Sequence, residues 1–519
     1  MRLTRVRTVV MTVVLAACGV APAAAQTFRS DDPVIRQMWL EGMERSQAER
    51  LAQVLMDSIG HRLSGSPGYE SAGAWILQRY ADWGVPARQH EYGTWRGWNG
   101  GSLLVNLVAP RVQTLEANWL AWSPGTNGRP VQADVVIIPE FASTAEAEAW
   151  LGTIRGRAIL ASPPEATCRE PQAMAALARP ETVQRLAEER ARTRASWQRR
   201  MAALGQGAHA RLEQAGVAAV LTSRWSEGWG VNKVFDAPTT QVPALDISCE
   251  DYGLLYRLAA NNQGPRVMIQ GEAENRGTVP MFSVIAELRG TELPDEYVVL
   301  SAHLDSWHAG TGATDNGTGT IMMLEAMRIL RAAYPNPRRT IIVGHWGGEE
   351  QGLIGSRAFG EDHPEVLEGM QALFNQDNGT WRIEYLEGQG YLHAGEHLAR
   401  WISNVPLEIS SHVELDFPGQ QINAGSDHTA FICHGVPAFR FQSHYDEYRQ
   451  YTWHTNRDTF DKIVLDDLMN NATLAAMVAY MASEDPRRVP RDRATLPTGP
   501  TGQERRWPTC APARRSWQP

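Results

Sequence analysis

The sequence predicts an α/β fold, a mostly parallel mixed sheet sandwiched by helices, with a second unit inserted into it. Three observations predict this. From residue 279 onward, short apolar runs alternate regularly with helical patterns, the signature of a covered, mostly parallel sheet. Between residues 111 and 274 that texture gives way to short β-like runs around a long charged stretch. At 519 residues the chain also exceeds one ordinary hydrophobic core.

Taken in order, residues 1–25 read as an export segment, excluded from fold reasoning. Arg2, Arg5 and Arg7 form a basic head, Val9 to Ala17 an apolar stretch, and Ala23-Ala24-Ala25 a small-residue cleavage site. Leu15-Ala16-Ala17-Cys18 also fits a lipidation signal, which would anchor the protein through Cys18; the cleaved form, secreted or periplasmic, is favoured. Residues 32–57 carry helical spacing through Val34, Met38, Leu51 and Leu55, and Ala72, Trp75, Ile76 and Tyr80 mark a second helix ending at Gly84. "SLLVNLVAP" is a strand.

In the inserted unit, "ADVVIIPEF", "VAAVLTS" and "TTQVPALDIS" are strands, and residues 180–215 form one or two solvated helices. Beyond it, "EYVVLSAHLD", "RRTIIVGHW", "QALFNQDN" and "VPAFRFQS" are strands. "TGTIMMLEAMRILRAAY" and "LDDLMNNATLAAMVAYMAS" are helices. Residues 486–519 are rich in Pro and Arg without a period and read as a disordered tail.

A net charge of −9 argues against nucleic acid as a partner. No apolar run in the body is long enough to span a bilayer. Cys168, Cys249, Cys433 and Cys510 have no zinc-knuckle or redox spacing and read as buried or incidental thiols.

The chemistry collects at strand ends. His303 and Asp305 close one strand, two apart and so on one side of it. Asp315 sits in the glycine-rich "GTGATDNGTG". Glu349 and Glu350 follow the next strand, Asp377 ends "LFNQD", and His454 lies in "WHTNRDT". In an open α/β sheet, ligands bind beyond the carboxyl ends of the strands. Two imidazoles and several carboxylates without thiolate suit two zinc ions, with manganese or cobalt also suitable. Two adjacent glutamates then divide the work. One ligates metal and the other faces the shared water as a base. Asp305 would orient the His303 ring.

These stretches resemble a known family, the co-catalytic zinc aminopeptidases and glutamate carboxypeptidases. The shared motifs are HLD at 303–305, TDNGTG at 314–319, GGEEQGLIGS at 347–356, NQD at 375–377, SDHTAF at 426–431 and HTNRDT at 454–459. "AHLDSWHAGTGATDNGTG" is most similar to the plasma glutamate carboxypeptidase (carboxypeptidase Q) branch. The resemblance implies a zinc-exopeptidase fold in two pieces, 31–110 and 275–485, around a β-rich, protease-associated-like insert at 111–274. It implies that Asp315 bridges two ions, that His303 and Asp377 complete one site and Glu350 and His454 the other, and that Glu349 is the base. It further implies a cis bond between Asp315 and Asn316. Ser426, Asp427, His428, Tyr445 and Tyr448 are the substrate-pocket candidates. Arg440, Arg449 and Arg457 are candidates for a carboxylate clamp, and Trp307, Trp346 and Trp453 for the cleft walls.

The expected function is an exported two-zinc exopeptidase acting on short peptides, as aminopeptidase or dipeptidase; the oligomeric state is left open, a homodimer included. Two other readings remain: a non-catalytic receptor-like binding protein of the same fold, and a single-zinc acyltransferase of the glutaminyl cyclase type. "HAGEH" at 393–397 matches another zinc-peptidase pattern, but would leave the remaining acidic and imidazole positions unexplained.

Overall fold

The computed structural model describes residues 30–419, 425–496, 498 and 506–518; the export segment and Cys18 lie outside the described residues. Local sequence sets the first helices. Asp32 accepts from the amides of Val34 and Ile35 and so starts helix Pro33–Trp39. Ser66 accepts from the Tyr69 amide and starts Pro67–Asp82, whose proline sits where no helical N–H partner is needed.

Among the described residues, fourteen strands build one continuous sheet. In chain order they are β1 Ala87–Ala109, β2 Gln113–Leu115, β3 Ala117–Trp119, β4 Val131–Ile137, β5 Ala158–Leu160, β6 Ala219–Thr222 and β7 Ala244–Ile247. β8 Arg266–Leu288, β9 Leu293–His303, β10 Arg339–Trp346, β11 Met370–Gln376, β12 Ile383–Glu387, β13 Glu414–Asp416 and β14 Ala438–Ser443 follow. The centre is parallel: β9 pairs with β10 and with β11, and β11 with β14. Strands β10, β11 and β14 are buried along their whole length, as near-continuous apolar runs require of a sheet covered on both faces. Helices Thr318–Ala333 and Leu465–Glu484 pack together against β9, and Ile354–Asp362 and His428–Ile432 pack together near β10 and β11.

The inserted region is less β-rich than expected. Strands β4 to β7 run parallel and are only three to seven residues long. They alternate with helices Thr144–Leu151, Pro180–Leu204, Ala208–Gln214 and Cys249–Ala260. Helix Pro180–Leu204 buries only Leu204 fully, in keeping with its charged composition. An apolar cluster around Ile159 and Leu212 is the region's own, while the one around Leu221 and Leu245 also takes in Leu63, Trp98 and Trp307 from outside it. Its boundary is not a linker. β1 and β8 are 23 residues each, pair antiparallel almost throughout, and belong to both regions, so β8 runs through residue 274 without a break.

Two expectations are corrected. The four cysteines form two disulfides, Cys168–Cys249 and Cys433–Cys510, across separations of 81 and 77 residues. The fold brings the partners together, so no local spacing could announce them. Residues 506–518 are not a loose tail either. Arg515 pairs with Glu361 and Asp362, the Arg515 carbonyl accepts from the Thr94 amide, and Trp507 and Trp517 pack on the core.

Candidate metal centre

Strand ends bring the predicted residues together. His303 is the last residue of β9, and its Nδ1 is 2.9 Å from the Asp305 carbonyl oxygen, which turns Nε2 inward. That Nε2 lies 3.3 Å from Asp315 Oδ1 and 3.1 Å from Asp377 Oδ1. On the other side, His454 Nε2 lies 3.3 Å from Asp315 Oδ2 and 2.8 Å from Glu350 Oε2. Each oxygen of Asp315 therefore faces a different imidazole. The result is two trios sharing one aspartate, each with its donor atoms within 4.8 Å of one another. Bonds of about 2.0–2.1 Å around a tetrahedral ion put ligand atoms roughly 3.3 Å apart, close to these separations.

The loops that carry these side chains are pinned from behind. Asp305 does more than orient His303. Its carboxylate accepts from the amides of Glu349 and Glu350 at 3.1 and 3.2 Å, fixing the two glutamates, while it stays 3.8 Å from the His303 ring. The orienting contact to His303 is thus made by the Asp305 main chain, not the carboxylate. Gly347 precedes the pair because a Cβ there would lie 1.8 Å from the Tyr69 hydroxyl. Two residues that sequence reasoning missed hold the Asp315 loop. Arg62, fully buried, donates to the carbonyls of Leu304, Thr311 and Gly312. Asp458 accepts from the amides of Thr314 and Asp315 at 2.7 and 3.0 Å. Asp458 sits inside the HTNRDT motif, but the bonds of both residues go to main-chain atoms, which leave no pattern in residue type. The Asp315–Asn316 peptide is cis.

His454 has a left-handed backbone, φ 59°, which only its surroundings can hold. The inserted region does this. The Val234 amide donates to the His454 carbonyl at 2.8 Å, and Phe235 meets the His454 ring edge-on. Asn232 and Asn456 exchange bonds, and the Asn232 amide group is anchored on the buried Asp246 and on the Ile247 carbonyl.

The electrostatics favour added positive charge. Burial, then neighbouring carboxylates, push Glu349 and Glu350 well above the usual carboxylate range. Burial pushes His454 down to about 4, while the carboxylates around His303 overcome its burial and raise it. Asp315 Oδ2 and Glu350 Oε1 are buried with no hydrogen-bond partner among the described residues. Orphaned carboxylate oxygens beside imidazoles, with no thiolate in reach, fit divalent cations.

A cavity of about 410 Å³ opens onto Glu349, Glu350, Asp315, Asp377 and His454. Tyr445, Tyr448, Arg440, Arg449 and Trp453 line it as well. Other expectations need correction. Ser426, Asp427 and His428 are buried behind the site and do not line the cavity. Ser426 accepts from Asn375, and burial pushes the inward-facing Asp427 up to about 7. Arg457 pairs with Glu116, away from this cavity. Trp346 is a core residue bonded to Ser301, whereas Trp307 donates to Glu350 Oε2 at 2.8 Å. In "HAGEH", His397 pairs with Asp485 at 2.8 Å, and no metal-holding group forms there among the described residues.

A mostly parallel sheet whose strand ends gather imidazoles and carboxylates about one shared aspartate, taken with the matches that follow, gives the class: the chain is a metallopeptidase, a hydrolase of peptide bonds. Its residues 283–479, which contain every member of both trios, match Peptidase family M28. Carboxypeptidase Q of Mus musculus is 27% identical over 446 residues, covering 85% of this chain and 87% of the relative. The crystal structure of a Peptidase M28 precursor from Shewanella amazonensis superposes with a TM-score of 0.63 at 21% identity, covering 88% of this chain and 98% of the other. A zinc aminopeptidase from Bacillus subtilis superposes with a TM-score of 0.53 at 18% identity, covering 85% and 96%. These two structures are similar in fold.

Proposed function

We propose that the protein is an exported two-zinc exopeptidase that hydrolyses short peptides, as an aminopeptidase or dipeptidase. One observation carries the reading: the two oxygens of Asp315 face two separate histidine–carboxylate pairs, beside a second glutamate left free for proton transfer. The nitrogen and oxygen donors suit zinc, the metal named for the Bacillus subtilis structure of similar fold. Two disulfides support export, since such bonds persist in oxidising compartments.

His303, Asp377 and Asp315 would hold one ion and His454, Glu350 and Asp315 the other. When bound, the pair supplies Lewis acidity toward the scissile carbonyl and a water of lowered pKa. The residues do the rest. Glu349, at the cavity wall, takes the proton of the attacking water and passes it to the leaving amine. Tyr448 lines the same cavity, and burial, then the charges of Asp315 and Asp377, keep its phenol protonated. It is therefore a donor for the oxygen that gains charge. Arg440 and Arg449 offer guanidiniums to a free carboxylate. A cavity near 410 Å³ is at the small end of ligand sites, roughly 300–1,000 Å³, which suits short substrates.

Metal analysis and a panel of dipeptides with free or blocked termini, on the parent and on Glu349→Gln, test the reading. Two metals per chain are expected in both proteins, with turnover in the variant down by about three orders of magnitude. One metal per chain would favour the single-zinc acyltransferase instead, and full activity in Glu349→Gln would remove the base assignment.

A further inference from the structure

We propose that a second chamber, joined to the metal cavity through Arg440, is a subsite for a cationic side chain. Substrates with lysine or arginine on the carboxyl side of the cut bond would then be preferred. The inference rests on the exopeptidase reading above.

The chamber is an open groove of about 770 Å³ that shares Arg440 and Tyr445 with the metal cavity, and Glu414, Asp416 and Asp446 in it are exposed. Five carboxylates line it, those of Glu384, Glu387, Glu414, Asp416 and Asp446. Glu384, Glu414, Asp416 and Asp446 form no ion pair among the described residues. In the strand register, Glu387 of β12 stands directly opposite Asp416 of β13. Like charges in that position destabilise a sheet; Glu387 is partly offset by a bond from Gln389 at 3.0 Å and by Arg440 at 4.0 Å, whereas Asp416 forms no ion pair among the described residues.

An independent observation comes from Arg440. It is only 6% exposed, and among the described residues its Nε is buried without a hydrogen-bond partner and its nearest acid is Glu387 at 4.0 Å. A guanidinium buried with so few bonds is unfavourable until an anion arrives. A substrate α-carboxylate, entering from the metal cavity, can accept its N–H groups in a fork. The Cα of that same residue lies about 1.5 Å from the carboxylate carbon, so its side chain opens beside Arg440, at the mouth of the acidic chamber. A lysine or arginine there meets several unpaired carboxylates. A glutamate meets repulsion, and a leucine finds no special partner.

The test compares kcat/KM for Ala-Lys, Ala-Arg, Ala-Leu, Ala-Glu and Lys-Ala, in the parent and in Glu414→Gln/Asp446→Asn. Ala-Lys and Ala-Arg are expected to exceed Ala-Leu by about tenfold or more, as charge-assisted bonds allow. Ala-Glu should fall below, and the Ala-Lys to Ala-Leu ratio should drop toward one in the double variant. Calorimetric binding of Ala-Lys and Ala-Leu to Glu349→Gln gives a readout without turnover, with the Ala-Lys advantage shrinking as salt rises. Equal use and equal binding of Ala-Lys and Ala-Leu would overturn the subsite, as would a preference that survives in the double variant. A preference for Lys-Ala over Ala-Lys would overturn its assignment to the carboxyl side. Failure of every dipeptide to be cut, while Ala-Lys still binds more tightly than Ala-Leu, would strike the exopeptidase reading and leave the subsite standing.

Discussion

Asp305 serves the site through two different groups, its carbonyl toward His303 and its carboxylate toward the amides of Glu349 and Glu350. In Asp305→Asn one oxygen becomes an NH2 that confronts an amide N–H. Metal affinity should fall about 10- to 100-fold, read by competition with a chromophoric chelator; unchanged affinity would show that the carboxylate is dispensable. Buried histidines make a separate prediction. Burial pushes His308 and His345 down to about 3, and His61 to about 4. Unfolded histidine titrates near 6.5, so below that pH the unfolded chain binds more protons than the folded one. Their contribution is complete above about pH 6.5 and drains away as pH falls through 4. Melting temperature should decline between pH 7 and 4.5, and His345→Gln should flatten that slope. That His303, Asp315, Glu349, Glu350, Asp377 and His454 gather at one place was legible, because acid and imidazole residues at strand ends are rare and chemically specific. Arg62 and Asp458 were not, since they work through main-chain bonds. Ser426, Asp427 and His428 were misread, because nearness to the site in sequence says nothing about which way a side chain turns.

At the scale of elements, the strands of the parallel centre were readable as apolar runs, buried on both faces. The inserted region was harder. Strands of three or four residues carry little periodicity, and their parallel pairing depends on partners far along the chain, as in Val135 with Ala158, Ala158 with Ala219 and Val220 with Ala244. Nor could sequence reveal that this region grips the segment bearing His454. Asn232, 1% exposed, joins Asp246 to Asn456 and so stiffens the segment of His454, whose backbone is left-handed. Asn232→Ala should lower affinity for one of the two metals, so that stoichiometry falls toward one at limiting zinc. Excess zinc should restore kcat if the role is positioning. Loss of kcat that zinc does not restore would indicate a broader structural defect.

Across the whole molecule, β1 and β8 weld the two regions into one sheet, so no cut between them leaves a complete unit. Each disulfide closes a loop of about 80 residues. On the chain-entropy view each contributes on the order of 4 kcal/mol. Reduction should therefore lower the urea midpoint markedly; an unchanged midpoint would mean that packing alone suffices. The staple at Cys510 also has a practical consequence. A trimmed version ending where the last long helix stops would delete Arg515, Trp517 and the mate of Cys433. It would leave a lone sulfhydryl next to the helix His428–Ile432, free to couple to a second molecule. Whoever engineers this protein should treat its last dozen residues as a buckle, and place any affinity tag with that in mind.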